Sequence, residues 1–228
     1  MQTIQANNYP VHFNEKGYEA LNSHLKTTKY SNVFIITDSN TNEYCLHKFL
    51  PYLETDLTIE IIEFEAGEIN KNIDTCIEVW KVLTDLGADR KSLVINLGGG
   101  VVTDLGGFVA STFKRGVDFI NIPTTLLSMV DASVGGKTGV DLGNLKNQIG
   151  VINVPTMVLI DTQYLETVPQ NELRSGLAEM LKHGLIFDKN YWEQFLDIST
   201  IDFSDLDLLI HRSVVIKNEI VMQDPTEK

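Results

Sequence analysis

Cysteine is almost missing from the chain. Cys45 and Cys76 are the only two among 228 residues, and no C-x-x-C spacing occurs, so neither a disulfide framework nor a thiolate metal site is indicated and a reducing cytoplasm is expected. No apolar run approaches the roughly 20 residues a membrane helix needs, and the N-terminus shows no basic patch followed by an apolar stretch and a small-residue cleavage site. Membrane insertion and secretion are therefore not expected. Basic residues are also scarce, 18 against 31 acidic, giving a net charge of −13 that repels polyanions and speaks against a nucleic-acid partner. A small anionic ligand remains compatible, because it responds to charges within about a Debye length, roughly 8–10 Å, where a few clustered lysines outweigh the global sign.

What is present is the alternation of an α/β protein. Short β-branched runs at Val33 to Thr37, Thr58 to Phe64, Leu93 to Leu97, Phe119 to Ile122 and Met157 to Ile160 read as strands. Between the second and third, Ile73, Cys76, Ile77, Trp80 and Leu83 recur at helical spacing. The pattern predicts a doubly wound, largely parallel sheet. Beyond Asp161 no strand follows; helical periodicity runs from about Gln170 to Ile186 (Leu173, Leu177, Met180, Leu181, Leu185) and from about Asp205 to Met222, which places a boundary near residue 165. No repeats or long Pro/Gly/Ser linkers separate the parts, so they are expected to pack on each other.

Two glycine-rich segments bear on chemistry. Asn96-Leu97-Gly98-Gly99-Gly100-Val101-Val102-Thr103-Asp104 follows an apolar strand and opens a helix, where amide groups at a helix N-terminus favour phosphate oxygens. Thr103 occupies the position of the third glycine of G-x-G-x-x-G, so the ordinary dinucleotide fingerprint is absent and a plain tight turn remains an alternative. Val134-Gly135-Gly136-Lys137-Thr138 imitates the end of a P-loop, but Asp131 stands where that loop requires glycine and would face the phosphates, which rejects a nucleotide triphosphatase. Around it lie Thr124, Thr125, Asp131, Lys137, Lys146 and Asn147, polar groups costly to bury unless they meet a ligand or one another; a solvated loop is the alternative.

Glu179, Lys182 and His183 project from one side of a helix. Glu with His at i+4 is metal-like spacing, yet two ligands do not close a zinc site, and such a pair is often an exposed hydrogen-bonded couple. His12, His24, His47 and His211 lack ligand-like spacing.

Taken together, GGGVVTDLGGFVASTFKRG, INIPTTLLSMVDASVGGKTGVDLGNLKNQIG and RSGLAEMLKHGLI, in this order, resemble the 3-dehydroquinate synthase family from about Thr37 onward. The resemblance implies a Rossmann-like NAD-binding α/β domain over 1–165 and the first helices of an α-helical metal and substrate domain over 166–228, in a cytoplasmic homodimer. Its implied reaction converts 3-deoxy-D-arabino-heptulosonate 7-phosphate, a small anionic sugar-acid phosphate, to 3-dehydroquinate and phosphate with transient reduction of NAD and with Zn2+ or Co2+. Position by position it implies Asp38 and Asn40 on the adenosine side of NAD, then Glu68 and Lys71, although the family's usual proline is Ala66 here. It further implies Gly99, Gly100, Val101 and Asp104 at the pyrophosphate, Thr124, Thr125 and Thr167 along the cofactor, and Lys146 beside them. Arg115, Asp131, Lys137, Asn147, Lys182 and Lys217 are the implied active-site residues, and Glu179 the implied first zinc ligand, with His183 not a ligand. The other two ligands would be histidines beyond Asp224 to Lys228, so the chain is expected to be an inactive part of a longer protein. Related cyclases of other sugar phosphates, a metal-dependent polyol dehydrogenase, and a non-catalytic NAD-binding module are the competing expectations.

Overall fold

A computed structural model of the chain describes residues 1–6, 8–196 and 203–224. The expected doubly wound sheet is there, with seven strands in the order β1-β2-β9-β6-β5-β3-β4. Its central strands are β3 (Val33–Asp38), β5 (Leu93–Gly98), β6 (Asp118–Pro123) and β9 (Met157–Ile160), with β4 (Ile59–Phe64) at one edge. At the other edge β2 (Pro10–Phe13) runs parallel to β9 and carries the short antiparallel β1 (Ile4–Gln5). Every residue of β3 and β5 is buried, as expected of parallel strands covered on both faces.

Successive residues of one strand divide between two cores, because the side-chain period is 2. Val33 and Ile35 enter a core shared with α1 (Asn14–Thr27), whereas Phe34 and Ile36 enter one shared with Cys76, Val79 and Leu83. Those last three belong to α4 (Ile73–Asp85), reached after the short helical turns α2 (Ser39–Thr41) and α3 (His47–Phe49) and strand β4. The stripe of α4 differs from the expected one at its rim: Ile77 is 38% exposed, since the i, i+3, i+7 line through Cys76, Val79 and Leu83 faces the sheet.

Helix α5 (Gly100–Thr112) is buried nearly all round. It is wedged between the sheet and a β-hairpin of β7 (Lys137–Leu142) and β8 (Leu145–Ile152), which forms from the segment expected only to be polar. Two glycines permit that: a Cβ on Gly106 would meet Asn96 Oδ1 at 2.0 Å and one on Gly107 would meet Thr138 Cγ2 at 2.5 Å.

The C-terminal helices are α6 (Gln170–Phe187), α7 (Lys189–Glu193) and α8 (Phe203–Gln223). Their buried residues Met180, Tyr191, Ile210 and Val214 join the α1 side of the sheet core rather than forming a separate one. Each large apolar side chain so buried contributes about 1.5–3 kcal/mol. The buried line of α6 is Gly176, Met180, His183 and Gly184, while Leu185, expected inside, is 70% exposed. Among the described residues no helix is long and apolar enough to cross a membrane.

Candidate active site

Strand β3 leads to β4 on one side and β5 leads to β6 on the other, so a crevice opens at their carboxyl ends, the usual ligand position of an open α/β sheet. Register brings the expected cofactor residues to that rim. Ile36 lies opposite Asn96, so Asp38 and Gly98 end at one level; Asp38 faces Phe64 just before Glu68, and Gly98 faces Pro123 just before Thr124. The Asp38 carboxylate accepts from the Thr41 amide at 2.8 Å and the Thr41 hydroxyl at 2.9 Å, which holds the turn after β3. Helix α5 begins at Gly99 without a side-chain cap, leaving its first-turn amides, those of Gly100 and Val101 included, open to an anion. A Cβ on Gly99 would stand 3.0 Å from Thr125 Cγ2, so the rim is shaped by glycine for a close ligand approach. A pyrophosphate fits these donors.

One turn into α5, Asp104 pairs with the buried Lys71, Nζ to Oδ2 at 2.8 Å. Burial pushes the Asp104 carboxyl up to about 6 against the pull of Lys71. For an acid whose folded pKa exceeds its ordinary 3.8, the folded form holds the proton more tightly, so this group's contribution to stability falls as pH rises through that window. Asp104→Asn is expected to flatten that part of the stability profile by on the order of 2–3 kcal/mol relative to wild type in urea titrations between about pH 4 and 7. Superimposable slopes for the two proteins would show that Asp104 does not titrate there.

Asp104 also lines a cleft of about 420 Å3 together with Asp131, Lys137 and Asn147. The hairpin supplies its outer wall through Thr138, Gly139 and Gly150. Lys146 reaches from the hairpin to Glu68, Nζ to Oε1 at 2.9 Å, and that partner raises its pKa. The Asn147 amide donates to Asp141 Oδ1 at 2.7 Å.

Asp131, in a π-helical turn over Ser128–Ala132, is shared between this cleft and a second cluster. It meets Lys217 of α8, Nζ to Oδ1 at 2.8 Å. Burial alone would raise its pKa, but Lys217, Lys182 and Lys137 outweigh burial and hold the carboxyl below its ordinary value. Glu179 meets Lys182 at 2.6 Å and His183 Nε2 at 3.3 Å. One ligand atom each from Asp131, Glu179 and His183 lies within 4.8 Å of the others. Atoms bound tetrahedrally at about 2.0–2.1 Å stand roughly 3.4 Å apart, so a modest contraction would seat a divalent zinc with one position left open. The donor set fits such an ion. His183 is 1% exposed and donates to or accepts from Ser213 Oγ at 2.7 Å, so it is no surface couple. Burial lowers its pKa, with Glu179 and Asp131 opposing.

Arg115, Asn40 and Thr167 are all exposed and are not among the residues that line this cleft. Arg115 is exposed beyond the far end of α5, roughly 20 Å of helix away from Gly100, because α5 runs back toward the amino ends of the strands. Asn40 is exposed in the turn after β3. Thr167 is exposed just before α6, with its hydroxyl on the Tyr164 carbonyl at 3.3 Å. Conversely, the place of His183 in a three-residue cluster was signalled only by its spacing from Glu179, and Ser213 by nothing.

A switch-point crevice with an uncapped glycine helix start, opening onto an acidic and histidine cluster set among lysines, defines a nucleotide-cofactor α/β protein with an adjoining cation site. Comparison with known proteins narrows the class. Residues 61–175 match the 3-dehydroquinate synthase N-terminal family and residues 176–228 the 3-dehydroquinate synthase C-terminal family. The chain belongs to the 3-dehydroquinate synthase family. It is 44% identical over 213 residues to the 3-dehydroquinate synthase of Parabacteroides distasonis, covering 91% of this chain and 59% of that protein. It is 38% identical over 236 residues to that of Acetivibrio thermocellus, covering 98% of this chain and 64% of that protein. The chain thus spans less than two thirds of the length of these curated relatives. Among solved structures it resembles 2-deoxy-scyllo-inosose synthase complexed with carbaglucose-6-phosphate, NAD+ and Co2+, at a TM-score of 0.89 and 26% identity, covering all of this chain and 65% of that one. It also resembles 2-epi-5-epi-valiolone synthase from Streptomyces hygroscopicus with NAD+ and Zn2+ bound, at a TM-score of 0.82 and 27% identity, again over all of this chain and 65% of that one. An iron-containing alcohol dehydrogenase, 16% identical at a TM-score of 0.74 over 96% of this chain and 69% of that one, shares the fold.

Proposed function

We propose that this chain serves 3-dehydroquinate synthase activity, the conversion of 3-deoxy-D-arabino-heptulosonate 7-phosphate to 3-dehydroquinate and phosphate, a carbon–oxygen lyase reaction dependent on NAD and on Zn2+ or Co2+. The observation that carries the reading is the position of Asp131, which lines the cleft at Asp104 and also stands in the cluster with Glu179. Asp131 is therefore common to the cleft and the cation cluster. NAD when bound supplies a reversible hydride acceptor, and the metal a Lewis acid at a substrate hydroxyl.

The chain's own groups do the rest. Asp38, Glu68, Lys71, Asp104, Thr124 and Thr125 shape the cofactor rim, and the α5 amides at Gly99, Gly100 and Val101 receive its pyrophosphate. Lys137, Asn147 and Lys182, with Lys146 at the rim, hold the anionic ends of the substrate and orient it. Asp131, kept ionised by Lys217, accepts a hydrogen bond from a substrate hydroxyl. Asn40, Thr167 and Arg115 take their roles from the family resemblance alone. A division near residue 165, a cytoplasmic site of action and a homodimer belong to the same reading.

The rival is a polyol dehydrogenase on the shared fold, against which the cluster of Lys137, Lys146 and Asn147 speaks, because it suits an anionic substrate better than a neutral alcohol. Calorimetry decides: the chain is expected to bind NAD, and Lys137→Ala to weaken a sugar-acid phosphate about tenfold or more while leaving NAD affinity in place. Unchanged anion affinity in that variant removes Lys137 from the site, and net NADH formation from a neutral polyol overturns the cyclase reading.

A further inference from the structure

The loop that carries Lys137 into the cleft is held at its glycines by a residue from the start of the chain. Gly135 and Gly136 take φ of 110° and 74°, values open to glycine, and a glycine pair free to adopt such angles is also free to leave them. It is pinned on both sides. The Gly136 carbonyl accepts from the Asn153 amide at 2.8 Å, at the base of the hairpin, and the Gly135 amide donates to the Tyr9 hydroxyl at 2.8 Å. Tyr9 stands in the turn between β1 and β2 and is 2% exposed. Pro10 after it restricts its backbone to extended angles, and its carbonyl accepts from the Ala6 amide at 3.0 Å, so the turn is closed and stiff. The same strand pair grips α8, where Asn218 Nδ2 donates to the Gln5 carbonyl at 3.4 Å. Its neighbour Lys217 pairs with Asp131. The β1–β2 turn therefore braces both flanks of Asp131, the loop leading to Lys137 and the helix bearing Lys217.

We propose that Tyr9 is a positioning residue: its hydroxyl, by anchoring the Gly135 amide, sets where Lys137 stands beside Asp131 and so how tightly the cleft holds an anion. This rests on the reading of the cleft as an anion site and extends it to a residue 126 positions away from the loop, outside the set that the family resemblance implies. The effect belongs to Lys137 and not to the cofactor rim, because Asp38 and the Gly99 to Val101 turn are carried by β3 and the start of α5.

Tyr9→Phe removes the oxygen and keeps the ring. Amide exchange followed by 1H–15N spectra is expected to quicken about tenfold or more at Gly135 while β3 and β5 keep their wild-type rates, which also controls for folding. With 3-deoxy-D-arabino-heptulosonate 7-phosphate as the calorimetric titrant, affinity is expected to fall about fivefold to tenfold in Tyr9→Phe with NAD affinity unchanged. That loss should vanish when Tyr9→Phe is combined with Lys137→Ala, since the two act through one side chain. A residue that only stabilised the fold would lower both affinities, with or without Lys137. Wild-type exchange at Gly135 overturns the proposal, as does an unchanged affinity for the phosphate or a loss that adds in full to that of Lys137→Ala. A wild-type chain that binds none of this titrant overturns the substrate reading, whereas faster exchange at Gly135 in the variant would still support the anchor.

Discussion

Lys71→Met is expected to lower the unfolding free energy at neutral pH by about 3–5 kcal/mol, the usual consequence of removing one partner of a buried ion pair. Methionine keeps the apolar stem of Lys71 but not the ammonium 2.8 Å from Asp104, and the lysine side chain is only 5% exposed. Asp104 would then lose the cation that opposes its desolvation, and its carboxyl, already pushed up to about 6, would rise further. The sign of the pH dependence follows. Because the protonated acid is the form that tolerates burial, the difference between wild type and Lys71→Met should shrink as pH falls toward about 6 and level off below it, where Asp104 is protonated in both proteins. Urea titrations at several pH values check both parts. A loss below about 1 kcal/mol that does not vary with pH would mean that the pair behaves like an exposed salt bridge.

Gly176→Ala is expected to damage the site from a distance. A Cβ at Gly176 would stand 2.5 Å from Leu126 Cβ and 2.7 Å from the Leu127 amide nitrogen, and a backbone atom cannot rotate aside. Alanine favours a helix interior by about 1 kcal/mol over glycine, but overpacking costs typically about 1–3 kcal/mol and here forces α6 off the 126–127 segment. A net loss of up to about 2 kcal/mol in urea is expected. The larger effect concerns the cation. Glu179 and His183 lie three and seven residues further along α6, while Asp131 lies just beyond the segment that α6 would leave, so the three ligand atoms separate and Zn2+ affinity should fall about tenfold or more. Wild-type Zn2+ affinity in Gly176→Ala would show that the cluster does not depend on this contact.

The central sheet was legible because β3, β5, β6 and β9 are short, apolar and β-branched, and burial on both faces demands that pattern. The edges were not. Strand β2 is only four residues long, too short for the alternation of Val11 and Phe13 to stand out, and the β7–β8 hairpin mixes its apolar residues with glycine, lysine, asparagine and glutamine, with β8 almost wholly exposed. The buried line of α6 escaped for a related reason: Gly176, His183 and Gly184 carry no hydrophobic signal, and their burial comes from close approach to Leu126 and Trp192.

The sequence by itself determined the fold class, the glycine turn at the start of α5, the cations around it, and the i+4 pairing of Glu179 with His183, since each is a matter of composition or of spacing along one element. Only the tertiary structure decided that Asp131 faces both the cleft and Glu179, that Arg115 lies beyond the far end of α5, and that Ser213 meets the buried His183 ring. Those relations join residues far apart in the chain, and they are set by which helix faces pack on which strands, a choice made by burial of the whole core and recorded in no local pattern.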